Sequence, residues 1–514
     1  MTRAFPFPAR LPAAELRLAL LLFASAAAPL SADDLLARYD GRTTVHVLDN
    51  GWTFVIVEQD GPPIAAVATV AGVGSVHEVP GITGVAHLIE HLAFKGTSRI
   101  GALDGAAEEA ALAALEEAYS SLLRELRRRP QDAGRIEESR RVFEALQERA
   151  ASLADSGRLA AIIEREGGVG LNAATERDYT VFTYALPANK LELFAHLESE
   201  RFADPVFRDL YKEREVVNEE RRQRVENRAL GKLIEQCLAV AFTAHPYGQP
   251  VLGHPSDLEA LTPADVAAFF RRYYVPSNLV TAIVGNVRSE TVIPLLEEYF
   301  GAIPGGAEPP LLRTQEPPSL SEKTIVLYDE AQPLYAEMYH RPGVGHPDDA
   351  VFVAIDDILS SGRTSRLYRV LVRDQQLAAF VDSFTPFPGL RFANLLLVVA
   401  IPNRDRSVAE LRTAIRAELS RLREEPVTAA ELVRFRTRAR ADLFRRLRDD
   451  QGLARELAVH QTLHGDWREL FRSLSRYDAV TAEDVQRVAR TTFLPSNRTS
   501  GTVVTHQGTA PGSE

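Results

Sequence analysis

The chain has 514 residues, room for about three ordinary domains or two large ones. Its 45% hydrophobic and 25% charged residues exclude a disordered or collagenous protein. A formal charge of −11 is the wrong sign for a chain whose main partner is nucleic acid. The single cysteine, Cys237, excludes an intrachain disulfide and a cysteine-based zinc site, so any metal has to be held by His, Asp or Glu.

Arg3, Arg10 and Arg17 come before and at the edge of the apolar run Leu18 to Ala28, which small residues and Asp33-Asp34 follow. This reads as a signal peptide over 1–32, cleaved after Ala26 or Ala32. The run is too short for a comfortable permanent span, and no other stretch approaches eighteen uninterrupted apolar residues, so the mature chain is expected to have no integral membrane span. Export with one cysteine fits a periplasmic or secreted protein.

Thr44 to Gln59 alternates apolar and polar residues around Asn50-Gly51, which predicts a β-hairpin with a type I′ turn. A strand at Ala65 to Ala71 follows, and Gly72, Gly74, Gly81 and Gly84 lead into a helix. Residues 102–165 are rich in Ala, Leu, Glu and Arg and are broken once, at Arg129-Pro130-Gln131-Asp132. They predict an antiparallel helical hairpin, either a solvated spacer or a lid or docking arm. The Pro- and Gly-rich stretch 304–320 marks a linker. The predicted organisation is an α+β domain over 33–303 with the helical insertion, then a second domain over 321–510.

Sliding the chain against itself by 219 positions lays Leu258 to Gly285 over Tyr477 to Val504. Thr262 matches Thr481, Asp265-Val266 matches Asp484-Val485, and Pro276-Ser277-Asn278 matches Pro495-Ser496-Asn497. In each copy a Thr caps a helix and a Pro-Ser-Asn turn launches a strand. The chain therefore reads as two copies of one α+β domain.

The residues that carry chemistry begin with His87-Leu88-Ile89-Glu90-His91. At 100° per residue the two histidines stand one helical turn apart and can share a metal, with Glu90 on an adjoining face. Neutral imidazoles suit zinc, and a carboxylate just before the second His can act on a water without ligating the ion. A third ligand is sought in the charged helix around Glu213 to Glu220, whose ends lie two turns apart on one face. Glu220 could ligate, while Glu213 hydrogen-bonds a ligating imidazole. His196 and Glu200 are also four apart, but nothing nearby completes a metal site, and His245 and His254, each beside a Pro, read as loop residues.

The reversed motif HxxEH is the inverzincin signature. With Glu213-Arg214-Glu215-Val216-Val217-Asn218-Glu219-Glu220 downstream, the chain resembles the insulinase and pitrilysin family of zinc peptidases, in particular the mitochondrial processing peptidase and its bacterial relatives. The resemblance implies two homologous α/β-sandwich domains that form half of a clam-shell. It implies one zinc ion held by His87, His91 and Glu220, with Glu90 as general base and Glu213 supporting an imidazole. It also implies that Asn172 and Ala173 hold a peptide or unfolded protein substrate as an added strand, and that a second, identical or homologous, chain closes the chamber.

Two departures stand out. His91 and Glu220 are 129 residues apart, longer than in relatives, with the insertion as the excess. Where active relatives place an Arg and a Tyr seven residues apart against the substrate carbonyl, this chain has Arg373 and Phe380, and a phenyl ring donates no hydrogen bond. The expected activity is zinc-dependent endopeptidase. The alternative is a non-catalytic or weakly active subunit that acts in assembly or peptide binding, against which the intact HxxEH and Glu220 argue. A zinc-dependent binding protein without hydrolysis is the rival outside peptidase chemistry.

Overall fold

The computed structural model describes residues 32–506. The expected signal peptide lies outside them, apart from Ala32. In the first half, helix α1 (Ala32–Asp40) precedes strands β1 (Thr43–Val47), β2 (Thr53–Glu58) and β3 (Ile64–Ala71). Helices α2 (Val85–Leu92), α3 (Gly105–Arg127), α4 (Ala133–Ala151) and α5 (Arg158–Arg165) come next, then strands β4 (Val169–Thr175) and β5 (Thr180–Pro187). The half ends with α6 (Leu191–Ala203), α7 (Leu210–Arg221), α8 (Ala229–Ala241), α9 (Pro255–Ala260), α10 (Pro263–Tyr273), β6 (Leu279–Gly285) and α11 (Ser289–Phe300).

Residues 304–320 carry no regular secondary structure. Beyond them come β7 (Lys323–Asp329), β8 (Leu334–Arg341), α12 (Asp349–Ser360), β9 (Ala378–Phe387) and β10 (Asn394–Pro402). Helices α13 (Val408–Glu424), α14 (Ala429–Arg446), α15 (Asp450–His464), α16 (Glu469–Ala479) and α17 (Ala482–Thr492) lead to the last strand, β11 (Arg498–Thr505).

The strands form two sheets, β1-β2-β6-β3-β5-β4 and β7-β11-β8-β10-β9. Without β1, the first has the topology of the second, down to the one parallel pair in each, β2 with β6 and β7 with β11. The repeat seen in the sequence has the same local structure in both halves. Thr262 and Thr481 each close a capping box, with Asp265 and Asp484, and Pro276–Asn278 and Pro495–Asn497 are short 3-10 turns into β6 and β11.

The β1–β2 hairpin forms, but not through the expected type I′ turn, which needs a positive φ at both central residues. Only Gly51 has one, at 96°. Gly51 N donates to Leu48 O and Leu48 N to Trp52 O, which makes a three-residue Asp49-Asn50-Gly51 loop with a bulge. Asn50 decides the geometry, since its amide donates to the carbonyls of Phe300 and Ile303 and its oxygen accepts from Trp52 N.

Each sheet has helices on both faces, and on one face the cover comes from the other half. The first sheet packs Phe54, Ile56, Val67, Phe182 and Tyr184 against its own helices, including α2 and α10. Its opposite face, with Val55, Val57, Ala68, Val70 and Ala282, is covered by Leu453, Ala454, Leu457 and Ala458 of α15 from the second half. Reciprocally, Leu233, Cys237 and Leu238 of α8 cover Leu334, Ala336, Met338 and Leu397 of the second sheet. The two helices are equivalent under the 219-residue offset, so the duplicated halves exchange the same element. The approach of α8 requires Gly501 in β11, where a Cβ would collide with Cys237 Sγ.

Helices α3 and α4 form the antiparallel hairpin, turning at 128–132. Tyr119 of α3 and Phe143 of α4 pack on each other at 5.3 Å between ring centres, and Phe143 lies 5.1 Å from Tyr211 of α7. Beyond this anchor the hairpin leaves the body, and no residue from 123 to 147 is buried.

Candidate metal centre

Helix α2 begins at Gly84, whose φ of 89° suits glycine. The buried Glu78 carboxylate accepts hydrogen bonds from Gly84 N and Ala86 N, so the amides at this helix end are satisfied. Val85, Leu88, Ile89 and Leu92 are buried in the core, which turns His87 and His91 toward α7. Helix α7 presents Glu213 and Glu220 back to them. His87 Nε2 and His91 Nε2 each lie 3.6 Å from Glu220 Oε2, and a ligand atom from each of the three residues falls within 4.8 Å of the others.

Two imidazoles and one carboxylate are a donor set for zinc, and bonds of about 2.0–2.1 Å in a tetrahedron would put such atoms roughly 3.3 Å apart. The residues therefore fit a metal ion with little movement. His91 Nδ1 is 3.1 Å from Glu213 Oε2, while Lys95 Nζ pairs with Glu213 Oε1 at 2.6 Å. Arg224, on the turn of π-helix after α7, holds Glu220 Oε1 at 2.8 Å. His87 Nδ1 is buried without a partner, so only one of the two imidazoles has its second nitrogen fixed by the protein.

Burial drives the His87 imidazole down to about 3, with the charges of His91 and Arg224 acting in the same direction, so it is neutral as a ligand must be. Burial works against His91 as well, but the hydrogen bond and charge of Glu213, with Glu90 and Glu220 behind it, raise it. Burial also raises the Glu90 carboxyl, against the hydrogen bonding of Thr175 and the charge of His91. One Glu90 oxygen, Oε2, is buried without a partner. Thr175 ends β4, the outer strand of the first sheet, so the sheet edge leads directly to Glu90.

Asn172 and Ala173 sit on that strand, paired on one side with Thr183 and Phe182 of β5. Among the described residues, no strand pairs with the other side of β4. Past the metal group, a cavity of about 380 Å³ opens, lined by Arg177, Arg224, Arg228, Leu230, Ile234 and Leu238 among others. Arg373 pairs with its neighbour Asp374 and is not hydrogen-bonded to the metal group. Phe380 is 43% exposed on β9, the outer strand of the second sheet. Glu200 is engaged by Arg99, and His196 packs on Tyr299. His245 is buried, its Nδ1 accepting from Tyr247 N.

Sequence reasoning missed Lys95, Glu78, Arg224 and a latch between the halves. Lys95 stands four residues after His91 but just past the end of α2, so helical spacing does not place it beside Glu213. The latch is Tyr247, whose hydroxyl donates to Asp178 while Asp178 Oδ2 accepts from the amides of Leu390 and Arg391 in the second half. Nothing in the local sequence marks it.

Comparison with known proteins bears on this arrangement. The family model described as Insulinase (Peptidase family M16) matches residues 54–122 and 148–254, and that described as Peptidase M16 inactive domain matches 260–439. Zinc protease PqqE of Helicobacter pylori is 27% identical over 94% of this chain and 97% of its own. The crystal structure of a protease from Helicobacter pylori superposes with a TM-score of 0.75, at 24% identity over 90% of this chain and 99% of that one. The first half of the periplasmic protease PqqL from Escherichia coli gives 0.66, at 17% identity over 91% and 93%.

The chain belongs to the insulinase family, peptidase family M16. Its fold is that of the half clam-shell, two homologous α/β layers in one chain. The family model passes over residues 123–147, the part of the α3–α4 hairpin without a buried residue.

Proposed function

We propose that this protein is a zinc-dependent endopeptidase that hydrolyses peptides or extended protein segments, with one zinc ion held by His87, His91 and Glu220. The observation that carries the reading is the convergence of those three side chains within 4.8 Å, with an unpartnered carboxylate oxygen of Glu90 buried nearby. When bound, zinc supplies the Lewis acidity that makes water a nucleophile near neutral pH and polarises a carbonyl.

Glu90 takes the proton of the attacking water and delivers it to the leaving amine, a role suited to a carboxyl whose pKa burial has raised. Glu213 accepts from His91 Nδ1 and fixes that ring, and Lys95 keeps Glu213 ionised. The substrate backbone pairs along the free side of β4 at Asn172 and Ala173, which draws the scissile bond past Thr175 to Glu90. A side chain next to the scissile bond enters the cavity walled by Leu230, Ile234 and Leu238.

Export to the periplasm, or secretion, follows from the amino-terminal segment. Among the described residues no helix is long and apolar enough to cross a membrane. A second reading, a subunit inactive or slow until it meets a homologous partner, is favoured by one feature, Phe380 in place of a phenol. Metal analysis of the purified protein with cleavage of a mixed peptide library, mapped by mass spectrometry, tests both. Bound zinc with internal cleavage supports the first reading. Bound zinc with cleavage only after a homologous chain is added supports the second, and zinc without any cleavage defeats the first.

A further inference from the structure

The distal part of the α3–α4 hairpin, between Leu123 and Phe143, adds nothing to the core. It has no buried residue, and it lies within 123–147, which the family model passes over. From Phe143, the last ring anchored on the body, to Ala133 is ten residues, or about 15 Å of helix. The hairpin therefore carries its end well clear of the fold.

That end is basic. Over 124–135, Arg124, Arg127, Arg128, Arg129 and Arg135 stand against Glu125 and Asp132, and all five arginines are exposed; the next acids along α4, Glu137 and Glu138, are paired with Arg141. Arg128 pairs with Glu125 and Arg135 with Asp132. Arg129 donates only to the carbonyls of Leu126 and Arg128. Among the described residues, Arg124, Arg127 and Arg129 have no carboxylate partner. The carboxyl end of α3 accounts for a cation or two through its dipole, but not for five on a chain whose net charge is −11. A concavity of about 580 Å³ lies between Arg128, Arg129, Gln131, Asp132 and Arg135.

We infer that this tip docks the protein on an anionic phospholipid bilayer. A folded acidic partner would need a complementary face of about 800 Å², and the tip is a projecting turn without a large exposed apolar side chain. A polyanionic plane asks only for clustered guanidinium groups, which bind headgroup phosphates as two-pronged donors. Docking through the tip holds the chamber beside the bilayer without inserting any part of the fold.

The test is sedimentation of the full chain with phosphatidylglycerol-containing vesicles and with pure phosphatidylcholine vesicles. It compares the parent with the triple variant Arg124→Gln, Arg127→Gln, Arg129→Gln, after circular dichroism has shown equal folding. The apolar amino-terminal segment is common to both proteins and cancels in the comparison. Affinity for the anionic vesicles should fall roughly 100-fold in the variant. Phosphatidylcholine binding should be equal, and the difference should vanish at high salt. Equal binding of parent and variant to the anionic vesicles would overturn the inference. So would a loss confined to a soluble acidic polypeptide, with vesicle binding kept.

Discussion

At the scale of single residues, the metal group is a matter of which second atoms are held. Glu213 is anchored on both oxygens, by His91 and by Lys95, and it passes that order to one imidazole. Glu213→Gln keeps the shape but loses the charge, and it should weaken zinc affinity about 10- to 100-fold in a chelator competition. An unchanged affinity would remove Glu213 from the account. The apolar cavity beside Arg224 makes a separate prediction about substrates. Ile234→Glu should move the cleavage profile from large apolar toward basic side chains, read as altered kcat/KM across a peptide series, and the same profile in both proteins would show that substrate does not enter there.

The positions of His87, Glu90 and His91 were legible because their relation is local: a spacing of three and four on one helix fixes which side chains share a face. Glu220 was reached from its spacing to Glu213 on one helix face, but a charged helix alone points to solvent, and the family resemblance singled it out. Glu78 and Arg224 stayed hidden because their roles arise from tertiary approach.

Among the elements, the Asn50-Gly51 turn shows how a correct local signal leaves its details open. The dipeptide marks a hairpin, but the carbonyls of Phe300 and Ile303, far along the chain, select the bulged loop. The exchanged helices show the same limit more strongly. Helices α8 and α15 are amphipathic, and nothing in their pattern says which sheet they cover.

Helix α14 offers a test of charge at an element end. Glu431 closes its capping box and pairs with Arg366, and although burial works against ionisation, these partners hold its carboxyl at about 2. A carboxyl depressed on folding stabilises above its unfolded pKa near 4.5 and loses that stabilisation as pH falls toward 2. Glu431→Gln should therefore cost about 2 kcal/mol at pH 7, below the full shift because Glu431 is partly exposed and its cap partner Thr428 exposed, and progressively less from about pH 4 downward. Denaturant titrations at several pH values would show this, and a difference independent of pH would contradict it.

For the whole molecule, the exchange makes each half an incomplete folding unit. Residues 33–303 alone would leave Val55, Val57, Val70 and Ala282 without α15, a broad apolar face open to water. That fragment should aggregate or lack a cooperative unfolding transition, and co-expression with residues 304–514 should restore a soluble complex. A monodisperse, cooperatively folding fragment would contradict it. The duplication itself was readable from the offset repeat, whereas the interlocking was not, because it depends on contacts about 100 residues or more apart in sequence.

The central claim is that Glu90 performs the proton transfer beside a zinc ion it does not bind. Zinc content and peptide turnover, measured on the same preparations of the parent and of Glu90→Gln, test it most directly. The account predicts about one zinc per chain in both proteins, with turnover lower in the variant by about 100-fold or more. A variant that cleaves peptides like the parent, or that loses its zinc along with its activity, would contradict it.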